Sequence, residues 1–477
     1  MKNQAYFLDQ NLALLLIISI SLLFALIGIL YSRKHQGLSN YLTAGRNVGT
    51  LSLTTSLTAS ALGAWILFGP ASAATWGGIG SVIGYSLGTA FPMIALIYLG
   101  KKIRKTFPSG ITFTQFVFYK IGKNLFKFVL LLSVSYMFVF LCAEVTAVAM
   151  LINYISGTPL WITATIVITT TLIYTLYGGL RASILTDNFQ FLFIIILLLV
   201  CMHNIFSSDI ISYKSVTNSS GVLLSSKYIP NYTAGLTFFI AVAATNLFHQ
   251  GNWQRVFAAK NYDVLKKSLK LSFLIIIPIV FFMGMVGIIS ISIDSKVNPD
   301  LAFFSIILKD KLEFLYIVII IFAISLTVST VDTLVNAISS LITVDGKKIN
   351  KNLKSSKSLM IFLSIIALFV ASKGFSILYL FLLADLLCCA AVFPVFYGFY
   401  KRSLKERDLI ISIIIGLLTG LLLFPSPDFS RSILIGSLLP FDFFPQIVSS
   451  SLLFWSFLLA TVSPAIVIIS YDSFKRR

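Results

Sequence analysis

Residues 51–70 read LSLTTSLTASALGAWILFGP, with no Asp, Glu, Lys or Arg among them. A helix of about 20 residues crosses a bilayer, so the stretch is long enough to span one. It is also crowded with hydroxyl and small residues, carries Gly63 inside, and ends on Gly69-Pro70. Such a segment can unwind and leave backbone carbonyls free. Within hydrocarbon, free carbonyls are tolerated only where they face protein or a water-filled cavity. In transporters, unwound carbonyls at midplane depth are ligands for a coupling cation. The stretch therefore predicts an all-α polytopic membrane protein with a broken helix at its centre.

The rest of the chain agrees. Of 477 residues, 57% are hydrophobic and 11% charged, against about 25% charged in soluble domains. Mean hydropathy is +0.94. Thirteen apolar segments qualify as spans: 11–31, 48–70, 76–99, 126–152, 160–177, 184–205, 234–250, 270–292, 313–342, 358–372, 376–399, 408–424 and 446–470. The region 425–445 reads as a loop or a re-entrant piece. No soluble domain is predicted, and the first span reads as a retained helix, not a signal peptide.

The net charge of +19 does not point to nucleic acid, because the basic residues sit in bursts between apolar blocks. With the N-terminus outside, 28 Lys and Arg fall in cytoplasmic segments and 8 in outer ones, as the positive-inside rule demands. Clusters near 33–46, 100–127, 251–270, 347–357 and 401–407 land on one side, with Lys475-Arg476-Arg477. The outer loop 206–233 holds two N-glycosylation patterns, at Asn218 and Asn231. Cys142, Cys201, Cys388 and Cys389 lie in apolar blocks with no CxxC pair, so neither a disulfide framework nor a metal centre is predicted. There is no Walker loop, nucleophile elbow or metalloprotease helix. The chain reads as no enzyme and no ATP-driven pump, which leaves gradient-driven transport.

Polar residues at membrane depth are costly and therefore informative. The segment 313–342 with its end carries Ser325, Ser329, Asp332, Asn336, Ser339 and Thr343 at steps of 4, 3, 4, 3 and 4. That spacing puts them on one helix face, and Thr330 and Thr333 widen the stripe. Ser and Thr also serve as packing glue in bundles. Asp332 within the stripe tips the reading toward hard oxygen ligands for a cation. Glu144, Asp187, His249 and Asp385 lie at apparent membrane depth too. Glu144 and Asp385 can pair with nearby backbone or hydroxyl groups. Asp187 reads equally well as a solvated helix start, and His249 as a satisfied core histidine. The run Phe248-His249-Gln250-Gly251-Asn252-Trp253 looks like a second discontinuous helix.

Several motifs together resemble the sodium:solute symporter family over nearly the whole chain. They are Tyr41-Leu-Thr-Ala-Gly-Arg46, Gly63-Ala-Trp65, Gly178-Gly179 followed by Thr186-Asp187 and Gln190, Trp253-Gln-Arg-Val-Phe-Ala-Ala-Lys260, and Ser329-Thr330. The resemblance implies a LeuT-like five-plus-five inverted repeat: an extra helix at 11–31, repeats at 48–205 and 234–400, and two helices over 408–470. It implies a sodium site from Ala59, Leu62, Leu326, Ser329 and Thr330, and a possible second cation site at Asp187, Asp332 and Thr333. A substrate site would draw on Ser60, Gly63, Trp65, His249 and Gln250. Two positions depart from the family: Ala61 stands where some amino-acid symporters have Asp, and His249 where sugar carriers have Asn. Asn246–Gln254 and Leu383–Leu387 look somewhat closer to the urea-type branch.

The expected function is secondary active, sodium-driven symport of a small polar solute by alternating access. Proton coupling through Asp332, Asp187 or His249, a solute channel and a membrane sensor stand as alternatives. The expected partners are Na+, the solute and the lipid bilayer, with no organic cofactor and no nucleic acid; the oligomeric state is left open. The expected location is a plasma membrane, in particular a bacterial inner membrane, with the N-terminus outside and the C-terminus cytoplasmic.

Overall fold

The computed structural model describes residues 6–35, 37–207, 213–309, 312–346, 348, 356–401, 403–435, 448 and 451–474. The tail Lys475-Arg476-Arg477, most of the basic cluster 347–357 and residues 436–447 lie outside the described residues. Among the described residues there is helix and no strand, with two isolated bridges at Val48–Ala259 and Pro425–Ser432.

The N-terminal half comprises α1 (Gln10–Arg33), α2 (Leu38–Thr43), α3 (Thr50–Ala61), α4 (Gly69–Thr106), α5 (Phe113–Lys120), α6 (Lys123–Ser156) and α7 (Leu160–Phe206). A 3-10 turn, Ala64–Leu67, sits between α3 and α4. There follow α8 (Tyr213–Leu224), α9 (Ile229–Phe248), α10 (Gln250–Ala258), α11 (Tyr262–Ile293), α12 (Ala302–Ile307) and α13 (Glu313–Ser340). The chain closes with α14 (Ser356–Ala371), α15 (Ile377–Gly398), α16 (Glu406–Leu423) and α17 (Leu452–Phe474).

Eight of these helices are long and apolar enough to cross a membrane. The long α7 contains two of the expected spans, and the other expected spans fall on α3 with its 3-10 turn, α9, α14 and α16. The divisions inside α4 and α7 are single glycines, Gly78 (φ 56°, ψ −155°) and Gly179 (φ 62°, ψ −152°). Positive φ at these positions suits residues without a Cβ. The turn at Gly78 lies beyond the expected limit near 70–76, because the helix break itself, at 62–68, falls inside the expected second span. Residues 425–435 form a compact turn closed by the Pro425–Ser432 bridge.

Helix α13 is buried along nearly its whole length and packs on α3, α6 and α7. Around it α4 lies along α9 and α11, α1 along α7, α6 against α15, and α16 against α17. Basic segments distant in sequence meet at one end. Arg46 donates to the carbonyls of Pro108 (2.6 Å) and Gly110 (2.7 Å), and Arg104 to those of Val256 (2.9 Å) and Ala259 (2.9 Å). At the opposite end the Tyr228 hydroxyl donates to the Trp76 carbonyl (2.8 Å). Asn231 accepts from the Gly80 amide (3.0 Å) and donates to Ser225 (2.8 Å), and it is only 7% exposed. Its amide is committed to the fold, which removes it as a glycosylation acceptor. The Asn218 side chain lies outside the described residues.

Candidate cation and solute site

Two helix breaks face α13. The first follows Ala61, where the Leu62 amide donates to the carbonyls of Thr58 and Ala59, both at 3.1 Å. Gly63 is extended and the 3-10 turn begins. Glu144 of α6 accepts from the amides of Ala64 (2.8 Å) and Trp65 (3.4 Å). These are amides that a helix start leaves without partners. The carboxylate thus props the break open from behind, and the expected pairing of Glu144 with backbone is what the structure contains.

The second break is at His249 (φ −65°, ψ 112°), between α9 and α10. Its Nδ1 accepts from the Gly251 amide (3.0 Å) and caps α10. Asn252 donates to the Asn246 carbonyl (2.8 Å) and Trp253 to the Leu247 carbonyl (2.9 Å). Side chains of the new helix thereby satisfy the carbonyls freed from the old one, as buried backbone requires.

Thr330 presents its hydroxyl from α13 toward the first break, while Ser329 turns its hydroxyl to Asp187. A methyl built on Gly63 would lie 2.7 Å from Thr330 Oγ1. Thr330 donates to the Leu326 carbonyl (3.3 Å), and Ser329 to Asp187 Oδ1 (2.7 Å). Ala59 lies in the last turn of α3 and Leu62 caps it, and α3 packs on α13.

Below them lies a buried polar lock. Asp187 is fully buried, which excludes the solvated helix start read from sequence. It pairs with Arg255 of α10 at 2.7 Å and accepts from Ser56 (2.5 Å) as well as Ser329. Arg255 also donates to Ser56 (2.8 Å), Thr333 (2.9 Å) and the Gly251 carbonyl (3.1 Å). Asp332 accepts from Tyr174 (2.6 Å), Ser183 (2.8 Å), Thr186 (3.0 Å) and Thr333 (3.3 Å). Asp187 and Thr333 face a guanidinium, while Asp332 faces hydroxyls. The expected cytoplasmic cluster near 251–270 included Arg255, but the structure buries it completely within α10, where it pairs with Asp187.

Above the breaks is a central cavity of about 40 Å³. Of the residues expected at a substrate site, Ser60, Trp65 and His249 line it. Gly63 and Gln250 do not. Gly63 backs onto Glu144 and Thr330. Gln250 is spent on the Phe113 amide (2.9 Å) and the Ile111 carbonyl (3.3 Å). The wall adds Tyr85, Thr245, Asn246, Asn252, Phe381 and Asp385, of which only Asp385 was singled out by charge. Asp385 accepts from the Thr245 hydroxyl at 2.6 Å. A larger cavity of about 560 Å³, lined by Trp76, Tyr228, Asp300 and Phe429 among others, lies at the end of the bundle opposite the basic cluster.

Known proteins resemble this chain in sequence and in fold. A sequence model of the sodium:solute symporter family matches residues 41–385. The spermidine transporter DUR31 of Candida albicans is 27% identical over 380 residues, covering 78% of this chain and 71% of that protein. A Na+-coupled sialic acid symporter, solved substrate-bound and outward-open, superposes with TM-score 0.74 at 16% identity, over 97% of each chain. Mhp1, a nucleobase-cation-symport-1 family transporter solved closed with bromovinylhydantoin, gives TM-score 0.58 at 16% identity, over 92% of this chain and 99% of Mhp1. At such identities the structural likeness speaks for the fold.

Proposed function

The chain belongs to the sodium:solute symporter family, and from that premise we propose how this multi-pass, sodium-coupled secondary transporter binds its ion and solute. One sodium sits at the first break, held by the carbonyls of Ala59, Leu62 and Leu326 and the hydroxyls of Ser329 and Thr330. The observation that carries this is the approach of Thr330 to Gly63, which brings hard oxygen donors of α13 against unwound backbone. The solute occupies the central cavity between the two breaks. The repeats run over 48–205 and 234–400, each contributing one broken helix.

Coupling needs only that ion and solute lower the free energy of the same conformation. Sodium at the first break fixes the end of α3 against α13, and Ser60 and Trp65, which flank that break, line the solute cavity. A membrane potential of 100 mV contributes about 2.3 kcal/mol per charge moved, roughly 50-fold accumulation per sodium. Asp187, Asp332 and Thr333 stand as a further cation site once Arg255 moves away, or as a lock that Arg255 keeps closed. The chain would lie in a plasma membrane, a bacterial inner membrane in particular, with its basic end cytoplasmic. The name of the Candida relative, a spermidine transporter, supports a nitrogen-bearing solute over a sugar.

The test is uptake in proteoliposomes with and without an inward sodium gradient. Ser329→Ala with Thr330→Ala should abolish sodium stimulation while the purified variant stays folded. Normal sodium dependence in the double variant would sink the site assignment; uptake that follows pH and ignores sodium would transfer the coupling to a proton.

A further inference from the structure

The acidic side chains buried between the helices are mostly engaged. Glu144 has two backbone amides, Asp187 has Arg255, and Asp332 has four hydroxyls. Asp345 takes the hydroxyls of Thr112 (2.7 Å) and Thr114 (2.6 Å) on Oδ2, its Oδ1 being buried without a partner, and it does not line the central cavity. Asp385 differs. Its Oδ1 accepts from Thr245, and the side chain forms part of the wall of the central cavity. No lysine or arginine lines that cavity. A carboxylate held at membrane depth needs full hydrogen bonding or an opposite charge, and among the described residues Asp385 has the single hydroxyl of Thr245.

The rest of the wall suits a cation as well. Trp65, Tyr85, Phe140 and Phe381 line the same space, and the Trp65 and Tyr85 rings stack at 5.8 Å. Aromatic faces attract ammonium groups. Asn246 and Asn252 add neutral amides at the side of the second break. An anionic solute would meet Asp385 with no lysine or arginine in the wall to offset it, and the His249 ring there is engaged at Nδ1 by the Gly251 amide. A protonated amine would complete the carboxylate and lie among the rings.

We propose that the transported solute carries a protonated amine, and that Asp385, positioned by Thr245 and surrounded by Trp65, Tyr85 and Phe381, is the counter-ion that selects it. This rests on the transport reading above and deepens it to a substrate class. A cavity of about 40 Å³ takes an ammonium head group; a longer amine extends beyond it as the bundle opens.

The experiment uses purified full-length protein, with thermal unfolding and proteoliposome uptake measured in parallel on putrescine, spermidine, urea and proline. Putrescine or spermidine should raise the unfolding temperature of the wild type and be taken up with sodium. Asp385→Asn should weaken both by roughly 30-fold or more, the usual scale for losing one partner of a desolvated charge pair. Asp385→Glu should restore part of the effect, which a merely structural role would not do. Sodium should still stabilise Asp385→Asn, showing that it folds. Sodium-driven uptake of urea or proline with no amine binding would overturn the amine assignment and leave sodium symport standing. Amine binding unchanged in Asp385→Asn would overturn the role of Asp385. Absence of sodium-driven uptake together with amine stabilisation that Asp385→Asn abolishes would overturn the transport reading and keep the site.

Discussion

A carboxylate at membrane depth is tolerated where its hydrogen bonds are complete, and Glu144 meets that condition with backbone amides instead of a cation. Its presence was legible in the sequence; its target was not, since Ala64 lies 80 residues away. Gly63 lies against the same carboxylate. A Cβ there would press on both Glu144 and Thr330 Oγ1. Overpacking of this kind costs about 1–3 kcal/mol. Gly63→Ala should therefore lower the unfolding temperature and remove the stabilisation that sodium confers, measured as unfolding curves in sodium and in choline chloride. An unchanged sodium effect would separate Gly63 from the ion site. Gln250 shows the opposite outcome: its polarity suggested solute contact, yet both ends of its amide tie α10 to residues 111 and 113.

At the scale of elements, the lock between Asp187 and Arg255 joins α7 to α10, and Ser56, Ser329 and Thr333 bring in α3 and α13. Four helices therefore share one buried ion pair. Removing one partner of such a pair costs about 3–5 kcal/mol, because the other charge is left uncompensated. Arg255→Gln and Asp187→Asn should each destabilise on that scale, and the double variant should lose clearly less than the sum. A double-mutant cycle on urea unfolding checks this; strict additivity would mean the pair does not act as a unit. The broken helices belong to this scale too. The hydroxyl- and glycine-rich stretch at 51–70 and the polar run at 248–253 announced both breaks, because a helix that gives up its own hydrogen bonds needs residues that permit or replace them. Their exact positions, at Leu62-Gly63 and His249, followed from Glu144 and from the Asn252 and Trp253 side chains.

For the whole molecule, Arg46 and Arg104 sit at one end and the Trp76–Tyr228 contact at the other, so the sidedness proposed from charge counting can be tested at both ends. The described cysteines are all buried, so single new ones can report sides. In intact cells, Thr233→Cys, at the wall of the larger cavity, should react with an impermeant maleimide. Asn47→Cys, exposed beside the basic Arg46, should react only after permeabilisation. The reverse pattern would invert the orientation proposed.

The sequence by itself determined the membrane class, the all-helical architecture and the two stretches within which helices break. These follow from local period and from the cost of polar groups in hydrocarbon, both of which are written along the chain. Only the tertiary structure decided which charges meet. Ser56 and Asp187 are 131 residues apart, Asp187 and Arg255 are 68, and Thr245 and Asp385 are 140. Helix packing turned one aspartate onto an arginine and another into an aromatic cavity, and no local pattern distinguishes those two fates, because each depends on a helix face that arrives from elsewhere in the fold.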